Sequence, residues 1–376
     1  MKQDQRNKSK FKIAYGVMGY GRGHATRTAA VLPALMAQHD VRVFAGNDAY
    51  DALASQFPTS KIPCIGYRYD QRGKLSTPHT LVGNYPIVKD ALFKGRFYQQ
   101  FKQELTDWGV DVIITDSEIW TTRIAKDLNV PLISFDHVGI INHCLPPFPR
   151  GQWLRGHLDR LGYHWLLPKA DRTLITSFYS ALPKSEDIEV VGPIIRDEIR
   201  QLNPTTGNYL LAYFNKGEHQ FLPHVEQALR TLGLPVKIYG VGERAKQGEL
   251  EFKPLSKTEF AKDLANCRAL LSTCGNQTMG ECLYLKKPVL VMPEDCFEQN
   301  LNAFMVERMG IGKRTSLQRI NSDIIETFLA NSFAYRSRMN AHAGDARDYA
   351  AQRLLQHIEE LTTKTNGCAE VARHAA

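Results

Sequence analysis

No stretch of about eighteen apolar residues occurs anywhere in the 376-residue chain, so nothing in it reads as a membrane-spanning helix. The first ten residues, MKQDQRNKSK, lack the apolar centre of a secretion signal, and a cytoplasmic location is the expectation. Seven cysteines are scattered without a C-x-x-C pair or a Cys/His cluster, which argues against a metal site and for reduced thiols. Blocks of like charge are missing as well. The net charge of +8 is spread along the chain, with no helix-turn-helix pattern and no aromatic RNA-binding strand pair, so nucleic acid is not an expected partner. A solvated surface accounts for most of these charges. An anionic membrane leaflet or a phosphorylated substrate remains open for the rest. Neither a D-x-D pair of carboxylates nor an internal repeat is present.

What is present is an alternation of strand and helix. Apolar, β-branched runs at 41–44, 112–115, 132–135 and 173–176 read as buried parallel strands, with helical spacing between them, as at 98–108. The V-V-G-P segment at 190–193 ends a strand and opens a polar stretch at 196–208, which places a linker there. Strands then resume at 209–214, 236–239, 269–272 and 289–292. Two α/β domains of ordinary size are predicted, residues 1–192 and 193–345, followed by a helix at about 346–361 and a tail to 376; the 43% hydrophobic content is enough for a core in each. Leu354, Ile358 and Leu361 share one face of that last helix.

Two regions carry chemistry. Residues 272–281 read STCGNQTMGE: a turn of small polar residues at a strand end that opens a helix, leaving backbone N–H groups and the helix dipole free for a phosphate or diphosphate. Thr278 and Glu281 fall on one helical face. Residues 293–303, PEDCFEQNLNA, then supply Glu298, Gln299 and Asn302, groups suited to sugar hydroxyls. At the other end of the chain, a strand at 11–18 runs into G-Y-G-R-G-H at 19–24 and a helix at about 25–38. Gly21 and Gly23 permit close backbone approach to a ligand. A dinucleotide fold would want its third glycine one residue later, which disfavours a dehydrogenase even though Asp48 lies near the end of the second strand.

Both regions resemble one family, the inverting glycosyltransferases of the GT-B fold, especially UDP-dependent enzymes related to the peptidoglycan-precursor N-acetylglucosaminyltransferase. The resemblance covers nearly the whole length and implies two doubly wound Rossmann-like domains facing each other across a cleft, with the last helix returning to the first domain. It implies further that Gly275 and Thr278 meet the donor diphosphate, Glu281 the ribose, and Glu298 with Gln299 the transferred sugar, with Thr273, Cys274, Asn276, Gln277 and Asn302 completing the donor segments. Many relatives have His or Arg where this chain has Thr273, so the phosphate contact is expected from backbone amides, hydroxyls or a cation elsewhere. Asn215 and Lys216, in the loop leaving the first strand of the second domain, are candidates, and Leu255 and Ser256 are placed for the base pocket.

Inverting transfer needs a base, and His24 is the histidine set by a Gly-rich loop at a strand's carboxyl end. The alternative for His24 is a helix-terminal residue that binds acceptor or phosphate without moving a proton. Asp116, ending the D-V-I-I-T-D strand, either holds the far imidazole nitrogen or caps the helix that starts near Glu118. In plant relatives a similarly placed Asp holds the His. Without D-x-D, metal-independent stabilisation of the leaving diphosphate by amides and a helix dipole is expected, and neither cofactor nor metal is called for. The expected partner is a nucleotide sugar, a UDP-hexose or UDP-N-acetylhexosamine. A UDP-sugar epimerase and a non-catalytic nucleotide-sugar binder are the competing readings. The acceptor depends on loops at 66–85 and 142–165. Within the latter, Trp153, Leu154 and Leu158 interleave with Arg155 and His157, either for contact with the inner leaflet or as a core helix with a basic outer side.

Overall fold

In the computed structural model, residues 10–68, 76–342 and 344–374 are described, with side chains up to 363. Most of the polar amino terminus, residues 69–75 of the 66–85 loop and the last two residues of the tail lie outside that set. Seven parallel strands form the first sheet: β1 (Lys12–Val17), β2 (Asp40–Ala45), β3 (Thr59–Lys61), β4 (Val112–Asp116), β5 (Leu132–Asp136), β6 (Arg172–Thr176) and β7 (Ile188–Val191), in the order β3-β2-β1-β4-β5-β6-β7. Six form the second: β8 (Leu210–Tyr213), β9 (Val236–Tyr239), β10 (Leu250–Lys253), β11 (Ala269–Ser272), β12 (Val289–Val291) and β13 (Gly312–Arg314), in the order β10-β9-β8-β11-β12-β13. All pairings between these strands are parallel.

Central strands such as β4 (VIITD) and β11 (ALLS) are buried at every residue, as expected when helices cover both faces of a parallel sheet. Three strands escaped the sequence reading: β3, β10 and β13. Each lies at a sheet edge, is only three or four residues long and carries polar side chains, so it offers no apolar run. Both sheets are doubly wound. The strand order reverses between β1 and β4 in one and between β8 and β11 in the other, and crevices form at the carboxyl ends of strands at such points.

The final helix, Arg347–His374, packs Ala350, Leu354 and Ile358 into the core of the first sheet, beside Val31, Leu35, Ile133 and Leu174. Arg347 Nε donates to the Ala30 carbonyl at 2.9 Å, which ties the start of this helix to the helix Arg22–Gln38. A second tie between the halves is steric. At Gly156, in the helix Trp153–Leu166, a Cβ would stand 2.5 Å from the Phe297 ring of the helix Phe297–Met309, so only glycine permits that approach. Among the described residues no helix is long and apolar enough to cross a membrane.

Candidate active site

The two crevices open onto one cleft of about 2200 Å³ between the sheets. On the first side, β1 and β4 are neighbours in register, with Val17 opposite Asp116, and the Met18 N–H donates to the Asp116 carbonyl at 3.0 Å. The loop after β1 therefore starts beside the end of β4. Gly21 turns it with φ 84°, a value that favours glycine, and caps the helix Arg22–Gln38. His24, in the first turn, places Nδ1 2.8 Å from Asp116 Oδ1. The imidazole is 17% exposed and the carboxylate fully buried. Of the two roles open to Asp116, the geometry selects the contact with His24, because Glu118 accepts the Trp120 and Thr121 N–H groups at the start of the helix Ile119–Leu128.

Arg27 was not foreseen. One turn beyond His24, it sends Nε to Asp116 Oδ2 at 2.6 Å and Nη2 to Oδ1 at 3.0 Å, while Nη2 also stands 2.7 Å from His24 Nδ1. Burial alone would raise the Asp116 pKa, but the charge of Arg27 and the contact with His24 outweigh it and hold the carboxyl at about 2. The i, i+3 spacing of His24 and Arg27 was the available signal in the sequence.

Across the cleft, β8 and β11 are also adjacent, with Tyr213 opposite Ser272. Gly275 stands at the N-cap of the helix Asn276–Tyr284, no side chain caps that helix, and nothing lies within 4 Å of where a Gly275 Cβ would be. This helix end is open to the cleft, and its amides and dipole suit an anion. A Cβ on Gly23 would stand 3.6 Å from Gln277 Cβ, so the starts of the helices Arg22–Gln38 and Asn276–Tyr284 converge. Thr273, Thr278, Leu255 and Ser256 line the cleft, and Ser256 also caps the helix Lys257–Asn266 by accepting the Glu259 N–H.

Several predicted residues are already engaged. Asn276 accepts the Phe178 N–H at 3.2 Å and donates to the Thr176 carbonyl at 3.3 Å, bridging the halves. Gln277 donates to the Ile194 carbonyl at 2.8 Å and to Glu281 at 3.0 Å. Asn215 donates to Glu294 at 2.7 Å, and Lys216 donates to the Tyr20 hydroxyl at 2.8 Å, so this lysine reaches across to the opposite loop. Glu281 receives a two-pronged contact from Arg196 in the linker, at 2.9 and 3.3 Å, a pairing across 85 residues that leaves no local pattern. Gln299 accepts the Cys274 and Glu294 N–H groups at 3.1 and 3.0 Å, which shapes the donor turn. Glu298 faces the cleft; burial raises its pKa.

Cys274 and Asn302 require a correction as donor contacts. Both side chains are wholly buried and absent from the cleft wall; Asn302 Nδ2 donates to the Cys274 carbonyl at 3.0 Å, a contact that braces the turn from behind. His137, just past β5, lines the cleft and was also overlooked, although the rule that sites gather at strand ends applied to it as much as to Asp116. Among the described residues no group of three or more His, Cys, Asp or Glu side chains is placed to hold a metal ion.

Residues 11–332 match the sequence profile of glycosyl transferase family 1. The chain belongs to this family. As a glycosyltransferase it has the two-domain GT-B architecture, and solved structures align over nearly its whole length. The calicheamicin glycosyltransferase CalG4 aligns with a TM-score of 0.65 at 16% identity, over 93% of this transferase and 98% of that chain. Acinetobacter baumannii MurG gives 0.58 at 15%, over 94% and 100%. Arabidopsis thaliana UGT89C1, complexed with UDP-L-rhamnose, gives 0.63 at 14%, over 95% and 99%. No curated protein matches the transferase by sequence.

Proposed function

We propose that this glycosyltransferase moves a hexose from a UDP-sugar to an acceptor hydroxyl with inversion and without a metal ion. The observation that carries the reading is the placement of His24, held at 2.8 Å by Asp116, across the cleft from the uncapped start of the helix Asn276–Tyr284. In that arrangement Asp116 accepts the Nδ1 proton and leaves the Nε2 lone pair to take the acceptor's O–H proton. The freed oxygen forms a bond to the sugar's anomeric carbon from the face opposite UDP. The bond from that carbon to the diphosphate oxygen breaks, and UDP departs with the electron pair. Charge growing on the diphosphate is met by the helix amides, with Lys216 at the cleft wall as a further cation. Glu281, oriented by Arg196, takes the ribose hydroxyls, and Leu255 and Ser256 flank the base.

The acceptor in this proposal carries its hydroxyl on an apolar body. Leu81, Tyr85, Leu158 and Trp165 line the first-domain side of the cleft, and Trp153, Leu154 and Leu161 continue the apolar surface on the outside of the helix Trp153–Leu166. These side chains are exposed, so that helix is not the core element that was the second expectation for it. The apolar surface suits a lipid-linked acceptor, with Arg150 beside it for an anionic leaflet, whereas Arg155 is paired with Asp295 and Arg160 donates to the Ile141 carbonyl.

Arg27 favours a second reading. Its Nη2 is a donor only, so if its contact with His24 Nδ1 prevails, Nε2 carries the proton and His24 donates to acceptor or phosphate instead of acting as a base. Incubation with UDP-glucose, UDP-galactose or UDP-N-acetylglucosamine and a set of lipid-like alcohols, with the product anomer read by NMR, tests the main reading. Release of UDP with a β-linked product supports it, whereas retention of the α configuration defeats inversion.

A further inference from the structure

His137 follows β5 directly and is 2% exposed, yet it belongs to the cleft wall. Its Nδ1 lies 3.0 Å from the Thr176 carbonyl oxygen, so that nitrogen carries the ring proton and donates it. Nε2 is left with a lone pair, and among the described residues no hydrogen bond reaches it. Its neighbours are of the wrong kind. Glu298 Oε1 stands 3.7 Å away, too far for a direct bond. Asn302 gives one of its two amide N–H groups to the Cys274 carbonyl and turns its Oδ1, itself an acceptor buried without a donor, toward the ring. Protonating the ring does not resolve the mismatch, because burial, followed by the charge of Arg27, lowers the His137 pKa to about 3.

A buried acceptor surrounded by acceptors is unfavourable unless a donor arrives from outside the chain. Glu298 marks the opposite wall at this point, on the helix Phe297–Met309 of the second half. We propose that His137 is a sugar-recognition residue: its Nε2 accepts a hydrogen bond from one hydroxyl of the transferred sugar, opposite Glu298, so both halves of the molecule read the sugar. The proposal rests on the nucleotide-sugar reading above. A neutral imidazole lone pair facing a carboxylate forms a pair of acceptors, which selects ring positions bearing O–H and rejects deoxy or fluoro substitution there.

Titration calorimetry with UDP and with UDP-glucose, UDP-galactose and UDP-N-acetylglucosamine separates the outcomes. The wild type should bind UDP and should prefer one of the three sugar donors over the other two. H137F should bind UDP as the wild type does and lose about tenfold in affinity for that sugar donor, and H137Q, whose amide oxygen can accept, should recover much of the loss. One monodeoxy donor should bind the wild type about tenfold more weakly and H137F no more weakly than the parent sugar does. Equal affinity of H137F and wild type for the sugar donor overturns the role of His137 and leaves the nucleotide-sugar reading standing. No binding of UDP or of any of the three sugar donors by the wild type overturns both. If H137F does not fold, the deoxy series on the wild type decides, and tolerance of every monodeoxy donor refutes the proposal.

Discussion

Arg27 grips Asp116 with two nitrogens, at 2.6 and 3.0 Å, on the carboxylate that also touches His24. The acid at the base of the site is thus shared between a permanent cation and the imidazole. An arginine fork fixes the plane of a carboxylate in a way a lysine ammonium does not. R27K is therefore expected to keep the fold while lowering kcat by about tenfold or more, through misalignment of Asp116 toward His24. Steady-state kinetics together with a melting curve checks this, and unchanged kcat in a folded R27K removes Arg27 from the positioning of His24.

The same pair makes a pH prediction. The folded pKa of Asp116, about 2, lies below its unfolded value, so the pair's contribution to stability is complete above about pH 4 and fades as pH falls through about 2. D116N leaves Arg27 buried without its counter-charge and should cost about 3 kcal/mol or more at neutral pH. The gap in stability between wild type and D116N should narrow as urea unfolding is repeated from pH 5 toward pH 2.5. A gap that stays constant over that range contradicts the assignment.

Removal of the imidazole tests the proposed base. H24A should retain UDP affinity within about twofold and lose about a hundredfold or more in turnover, the scale typical of a general base. Full turnover by H24A would dismiss the residue from the mechanism.

Glu281 and Arg196 should behave as a unit. E281A is expected to weaken UDP binding by about 1 to 3 kcal/mol through loss of a ribose hydrogen bond, and R196M to do part of the same by freeing the carboxylate. The double variant should be no worse than E281A alone, since the arginine acts through the glutamate. Additive losses would instead indicate that Arg196 touches the nucleotide directly.

Diphosphate stabilisation by amides and cations of the chain predicts full activity after EDTA treatment and dialysis. Dependence of turnover on added Mg²⁺ would count against it.

The sequence by itself determined the alternation of buried strands and helices, because a parallel sheet covered on both faces needs continuous apolar segments such as 112–115 and 269–272. It also determined the Gly-rich loop before His24 and the small-residue turn at Gly275, since backbone that must turn sharply or present bare amides leaves a local composition. The short edge strands Thr59–Lys61, Leu250–Lys253 and Gly312–Arg314 left none, as their pairing comes from a neighbour's exposed edge. Only the tertiary structure decided that Asp116 meets His24 while Glu118 caps the helix, for the choice depends on β1 and β4 lying side by side although their residues are far apart in the chain. Arg27, Arg196 and His137 entered the site in the same way: a charge, a linker cation and a buried lone pair acquire meaning only from partners that folding brings to within hydrogen-bonding reach, or withholds.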